Sequence, residues 1–549
     1  PRRTAGSRDR IGGLRSAISI GARMASESTR AATAWGSTPR RLRSNRVQSD
    51  SGNAPARVIR PALLAAGLAV LALAGVRGAG GAAQQPAEAA KGPPLNVAVF
   101  VSSRTDVCYD PGDVGAVTRL ATAEQDRINR LGGIGGRPLA LRFLDDRRSD
   151  DEAIAHVRTA LADPQLLAMV GLSNSNRVQA VFKALGKQIG DSRIPFLTDT
   201  SVNTLIKPYP NVYTSRSSQE DERIPVTVAF LRNLGFERPA FAGIAGAVFA
   251  TTLAEGVKKS LGAGALVADH RLIAKDNTLD PAAVRAMIAD FKASIPDVLL
   301  LAIGTARTGE VMKEMKAAGV TPALFVTGRI DAIPADIANA WPNAIYQLAW
   351  DRLPDLDNDR LRKRIAKEDP QAWTFEGRKI SQAPGWSKGE CKPRTENGTP
   401  DPLDPANLRA IALGTQFADM VGLIAAAAKA APPRADLATL RADIVSQIGS
   451  AYAMGRGTFK GTFDNWSFDP VSRSASRTPF IVMLPQGLRR TQLAPVQYVR
   501  LRDGSLKAID TLYADIDMIR AHRVDDNEKS FFAEFYLSMR NNPGAEIER

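Results

Sequence analysis

His156, His270 and His522 are the three histidines of the chain, and no two of them stand at the spacing a metal site needs. His156 falls in an apolar-periodic stretch and reads as an ordinary helix residue. No CxxC, HExxH or nucleophile-elbow sequence occurs. The glycines between Gly132 and Gly136 have the composition of a phosphate loop. They follow a helix and precede a strand, the reverse of the order such a loop requires, so they read as a turn. Asp145 and Asp146 are better placed as strand-end caps than as an acid/base couple. These residues point to binding rather than catalysis: no catalytic residue, no metal and no cofactor is expected. The two cysteines, Cys108 and Cys391, leave two alternatives. They form a disulfide, worth at most roughly 5 kcal/mol in the chain-entropy model for so long a loop, or they are two free thiols.

The charge balance of the 549 residues is +15, which invites a nucleic-acid reading. Its location argues against one. Residues 1–83 carry +11 of it, all on Arg, and a phosphate-binding patch belongs on a folded body. Residues 1–56 are rich in Arg, Ser, Ala and Gly and too poor in large apolar residues to offset chain entropy. Position 1 is Pro, and Met24 is a candidate start. An Arg-flanked apolar run from Pro61 to Val76 then leads to the small residues around Ala83, a secretory-signal pattern. Export to the periplasm is the expectation, with cleavage after Ala83 or Ala74, or an uncleaved anchor as the alternative.

The elements that would position a site follow in the body. Strand-like runs at 95–102, 138–144, 166–170 and 194–197 alternate with helical patterns, and the alternation resumes at 240–244, 298–303 and 324–327. The run at 298–303 is apolar throughout, the mark of a sheet covered on both faces. Strands alternating with helices imply parallel sheets with right-handed crossovers, and the series is too long for one small sheet. The expected fold is therefore α/β, with two Rossmann-like lobes. Ser175 can cap a helix. Residues 375–405, dense in Pro and Gly, read as a loop insertion, and 406–431 as a buried Ala-rich helix interrupted by Arg409, Asp419 and Lys429. The tail alternates Leu512, Ala514, Ile516 and Met518 with polar residues and reads as two strands and a turn, or as an amphipathic helix.

Residues 129–138 (NRLGGIGGRP), followed by Asp145 and Asp146, resemble a signature of the branched-chain amino acid (leucine/isoleucine/valine) binding proteins that serve ABC transporters. Residues 171–175 (GLSNS), Ile194-Pro195, the strand at 297–301 with Gly319, and 457–464 (GTFKGTFD) fit further motifs of that family in order. The similarity spans about residues 93–505. It implies the type I periplasmic-binding fold, with lobes joined by hinge strands and a ligand held between them. It implies an N-terminal lobe of 84–215 plus 406–445, a C-terminal lobe of 216–374 plus 446–510, and an extension at 511–549.

By the same resemblance Ser175 matches the serine that takes a ligand carboxylate. Thr200 and Ser201 form a second polar pair, Phe249 falls at a cleft aromatic, and Thr305 lies near another pocket position. Arg329 aligns with the acidic residue that holds an ammonium group. A cation there favours a carboxylate or other anion. A slip of two residues would bring Asp331 to that position instead, and a solvated surface charge is the plain reading of Arg329. The tail from Asp515 to Leu537 is similar to the opening strands of the pentameric ligand-gated channel extracellular domain. The function expected is capture of a small polar or anionic ligand by a monomer that delivers it to a membrane ABC-transporter permease. A ligand-sensing receptor domain is the alternative.

Overall fold

The computed structural model describes residues 92–103, 111–262, 264–275, 278–330, 333–350, 360–364, 366–369, 372–375, 377–379, 405–432, 436–461, 464–484, 491–501, 505–525 and 530–540. The leader 1–83, both cysteines, Asp331 and most of the 375–405 insertion lie outside these residues.

Two sheets organise the chain. In the first lobe, β1 (Leu95–Val101), β2 (Leu139–Asp145), β3 (Leu166–Gly171), β4 (Phe196–Thr198) and β5 (Val212–Thr214) are parallel in the order β2-β1-β3-β4-β5. Helices α1 (Pro111–Arg130), α2 (Asp150–Leu161) and α3 (Ser175–Ser192) connect them. Alternation along β1 feeds two cores. Val97 and Val99 pack on one face, and Ala98 and Phe100 on the other, toward α2 and α3. Helix α3 offers Val178, Val181, Phe182, Leu185 and Ile189 at helical spacing, and all five are buried.

After α4 (Ile224–Asn233) the second lobe repeats the plan. Strands β6 (Pro239–Ile244), β7 (Ala268–Leu272), β8 (Val298–Ala302), β9 (Ala323–Val326) and β10 (Ile345–Trp350) run parallel. They are joined through α5 (Val248–Leu261), α6 (Pro281–Ser294), α7 (Thr305–Ala317) and the short α8 (Ala335–Asn339). Asp280 caps α6 by accepting from the Ala282 N–H, with Pro281 in the first turn where a missing N–H costs nothing. Every residue of β8 is buried, as a strand covered on both faces requires.

This second sheet is mixed rather than purely parallel. Strands β11 (Pro479–Leu484) and β12 (Gln492–Leu493) extend it antiparallel, in the order β12-β11-β10-β9-β8-β6-β7. The chain leaves β10 at its carboxyl end and crosses to the first lobe. It re-enters from that same end, so the next strand runs back.

The excursion between them builds α9 (Pro405–Ala430) and α10 (Leu437–Ser450). Helix α9 is long and apolar enough to cross a membrane, but its apolar stretch is mostly buried in the protein. Phe417, Met420, Val421 and Ile424 fill the first lobe's core beside α1. Gly414 permits the close approach, since a Cβ there would lie 2.6 Å from the Ala116 carbonyl oxygen. The stretch 446–475, which the resemblance assigns to the second lobe, packs on the first: Ile448, Trp466, Phe468 and Ala475 share a core with β1 and α9. The large apolar side chains decide this, because Trp466 and Phe468 are buried there to about 1% exposure.

Residues Ala87–Tyr513 form one compact unit, and Ala514–Met539 belong to a second. The latter is a ribbon of β15 (Tyr513–Asp525) and β16 (Ser530–Arg540), following the β13 (Val496–Arg500) and β14 (Leu506–Asp510) pair. Its rungs include a bidentate Arg520–Glu534 pair at 2.9 and 2.6 Å.

The β3–α3 turn depends on Gly171, whose φ is +118°, with its α-carbon pressed against the Phe100 backbone. A Cβ would collide with the Phe100 carbonyl oxygen. Gly171→Ala is expected to destabilise the chain by about 3 kcal/mol or more, measured as a lower midpoint in urea unfolding. An unchanged midpoint would contradict the close approach.

Candidate functional site

The carboxyl end of β3 borders the point between β1 and β3 where the strand order reverses, which is where open α/β sheets bind ligands, and β4 is the next strand. Gly171 and the left-handed Leu172 turn the chain out of β3. Asn174 then caps α3, its Oδ1 accepting from the Asn176 N–H at 2.8 Å. Ser175 is thereby the first residue of α3, where free N–H groups and the helix dipole favour an anion. Its Oγ lies 3.0 Å from Thr200 Oγ1.

Thr200 is held from several sides. Its Oγ1 accepts from the Val202 N–H at 3.2 Å, and its carbonyl accepts from Thr214 Oγ1. Ser201 is also buried, and its carbonyl accepts from the Gln219 N–H at 2.7 Å. The structure thus brings Ser175 and Thr200 together directly, with Ser201 beside them in sequence and tied to the crossing segment.

Phe249 is the second residue of α5 in the other lobe. It is half-buried against that lobe's core, and its carbonyl accepts from Gln219 Nε2 at 3.1 Å. Thr305 opens α7 after the positive-φ Gly304, at the carboxyl end of β8. Arg329 follows β9, half-buried and engaged in interactions of its own. The next residue, Ile330, donates its N–H to Gln347 Oε1 at 2.7 Å. Phe249, Thr305 and Arg329 therefore sit at the carboxyl ends of neighbouring strands in one lobe, and Ser175, Thr200 and Ser201 in the other.

Several residues escaped the sequence reading. Asp199, 2% exposed, accepts from Arg216 Nε at 2.7 Å, Arg216 Nη2 at 2.8 Å, Ser215 Oγ at 2.6 Å and Gln416 Nε2 at 2.6 Å. Gln416 comes from α9, more than 200 positions away, so no local pattern announces it. Asn176 and Gln219 reach across to the second lobe, and nothing in their flanking residues marks that. Asp199 alone carried a signal, as a charge between Thr198 and Thr200 at the end of an apolar strand.

The crossing segment 219–223 forms one turn of π-helix, a rare form often found at functional positions. Burial pushes the Glu222 carboxyl up to about 7, against the opposing pull of Arg500 and Arg223. Its Oε2 is buried without a hydrogen-bond partner among the described residues. Burial, together with the Arg216 charge, pulls the adjacent Arg223 guanidinium down to about 9.

Paired lobes of equivalent topology, each with its candidate residues at the carboxyl ends of its strands, are the arrangement of the type I periplasmic-binding fold. The periplasmic binding protein family model matches residues 113–380 of the chain. Solved structures resemble the chain. One from Silicibacter pomeroyi, assigned to branched-chain amino acid ABC transport, is 14% identical, with 73% of this chain and 96% of that one covered and a TM-score of 0.50. The branched-chain amino acid substrate-binding protein LivJ of Streptococcus pneumoniae, solved with isoleucine, is 14% identical over 73% and 99%, with a TM-score of 0.49. A solute-binding protein of R. palustris, solved with benzoate, is 16% identical over 73% and 95%, with a TM-score of 0.48. No curated protein matches the chain in sequence.

Glu222 makes stability pH-dependent. Its folded pKa of about 7 lies above the ordinary 4.5, so between these values the folded chain holds a proton that the unfolded chain has released. Its contribution is full below 4.5 and is lost as pH rises through about 7. Glu222→Gln is expected to stabilise the protein above pH 7 by up to about 3 kcal/mol and to do little near pH 4.5. Urea unfolding across that range would show it, and a pH-independent difference would refute it.

Proposed function

We propose that this chain is an exported solute-binding protein that captures a small polar or anionic ligand between its lobes and delivers it to a membrane ABC-transporter permease. The observation that carries the reading is the Ser175–Thr200 hydroxyl pair, 3.0 Å apart at the start of α3 and beside the strand-order reversal. Two hydroxyls and the free N–H groups of a helix start suit a carboxylate oxygen. Ser201 adds a third hydroxyl, and Phe249 offers an apolar face from the opposite lobe. Thr305 and Arg329 supply the second lobe's polar contacts. A cation at Arg329 selects for a carboxylate, or for an amide or amino acid with a second acidic group, over a simple ammonium ligand. The monomeric state and the export signal belong to the same reading.

A thermal-unfolding screen against amino acids, their amides, and mono- and dicarboxylates tests it. A ligand present at a thousand times its Kd adds about 4 kcal/mol, a plain upward shift of the melt. For the ligand so found, Ser175→Ala is expected to weaken binding about 10- to 100-fold, as loss of a hydrogen bond to a charged group does. Arg329→Ala is expected to weaken carboxylates more than neutral amides. Calorimetric titration reads both. A ligand whose Kd neither substitution alters binds somewhere else.

A further inference from the structure

Asn176 follows the candidate ligand serine directly, yet its side chain works on the other lobe. Its Oδ1 accepts from the Val248 N–H at 3.1 Å, and its Nδ2 donates to the Gly246 carbonyl at 2.7 Å. The amide thus meets both a donor and an acceptor of the β6–α5 turn. Helix α5 has a use for this. Its own N-cap residue is Ala247, in extended conformation and without a side-chain oxygen, so α5 makes no side-chain cap of its own. A residue of the first lobe supplies the cap for a helix of the second.

The next residue of α5 is held as well. The Phe249 carbonyl accepts from Gln219 Nε2, and the Gln219 N–H in turn donates to the Ser201 carbonyl. The first two residues of α5 are therefore tied back to the two places that present hydroxyls, one through the neighbour of Ser175 and the other through the partner of Ser201.

We propose that Asn176 is a positioning residue for ligand capture: it caps α5 only when the lobes are shut, and so sets Phe249 in register against the Ser175–Thr200 pair. This rests on the binding function proposed above. When the lobes part, Val248 N–H and Gly246 C=O must turn to water. The exchange of two such hydrogen bonds for hydration biases the lobes shut by about 10-fold. A ligand then completes a closure that the protein already favours, which lowers the cost of binding.

The test needs no ligand. Hydrogen exchange at the first amides of α5 and small-angle scattering are measured on the full chain for wild type, Asn176→Ala, Ala247→Ser and the double variant. Asn176→Ala is expected to lose protection at Val248 and to enlarge the radius of gyration. Serine at 247 gives α5 a cap of its own over the Phe249 and Ala250 N–H groups, so the double variant is expected to gain protection there while staying expanded. If the double variant also returns to the wild-type radius, Asn176 only caps a helix and the proposal falls. It falls equally if Asn176→Ala stays as compact as wild type. Should that variant not fold, as judged by circular dichroism, Asn176→Asp serves in its place. It keeps the acceptor for Val248 and loses the donor to Gly246, and an intermediate expansion is expected where an unchanged radius would overturn the idea. A ligand screen without hits would leave these outcomes readable, because none of them depends on a ligand.

Discussion

Asp199 is the point on which the cleft side of the first lobe is hung. A carboxylate taken out of water costs several kcal/mol unless its oxygens are satisfied, and here four donors converge on it. They come from the end of β5 and from α9, while Asp199 itself extends β4. One buried charge therefore joins two strand ends to a helix that enters from far along the chain. Thr200 is the next residue, and it is placed by that junction. The long excursion through α9 and α10 is thus part of what orients the hydroxyl pair, beyond filling the first lobe's core.

The crossing segment that follows β5 carries a second set of charges with a different fate. Glu222 and Arg223 sit side by side in a single π-turn, and burial moves both toward their neutral forms. Neighbouring arginines add to the shift at Arg223 and oppose it at Glu222. From this segment Gln219 links the backbone of Ser201 to that of Phe249, so the hinge and the two sides of the cleft share one hydrogen-bonded path.

The paired sheets explain why the arrangement can be both firm and hinged. Each lobe has an apolar core on either face of its sheet, divided by strict alternation along its central strand, and the first lobe adds a smaller cluster between α1 and α9. Among the described residues, the hydrogen bonds of Asn176 and of the Gln219 side chain to the second lobe join amide and carbonyl groups that water can also satisfy. Packing holds each lobe rigid, while the balance between open and shut rests on interactions of small net value.

Much of the architecture could be read from residue order. Apolar runs of five to seven residues alternating with 3.6-periodic stretches mark parallel strands and crossover helices, because each pattern satisfies backbone and core locally. Asp280-Pro281 marks a helix start for the same reason, and the motif around Ser175 marked the turn from β3 into α3. The antiparallel return of β11 was not readable, since strand direction depends on where a distant segment re-enters. Nor was the placement of Trp466 and Phe468 in the first lobe, where free core volume and not local pattern chose the partner. The Asp199 junction and the Asn176 cap belong to the same class. Each joins side chains whose separation in sequence carries no periodicity, and a hydrogen bond between such groups exists only once two packed bodies bring them within reach.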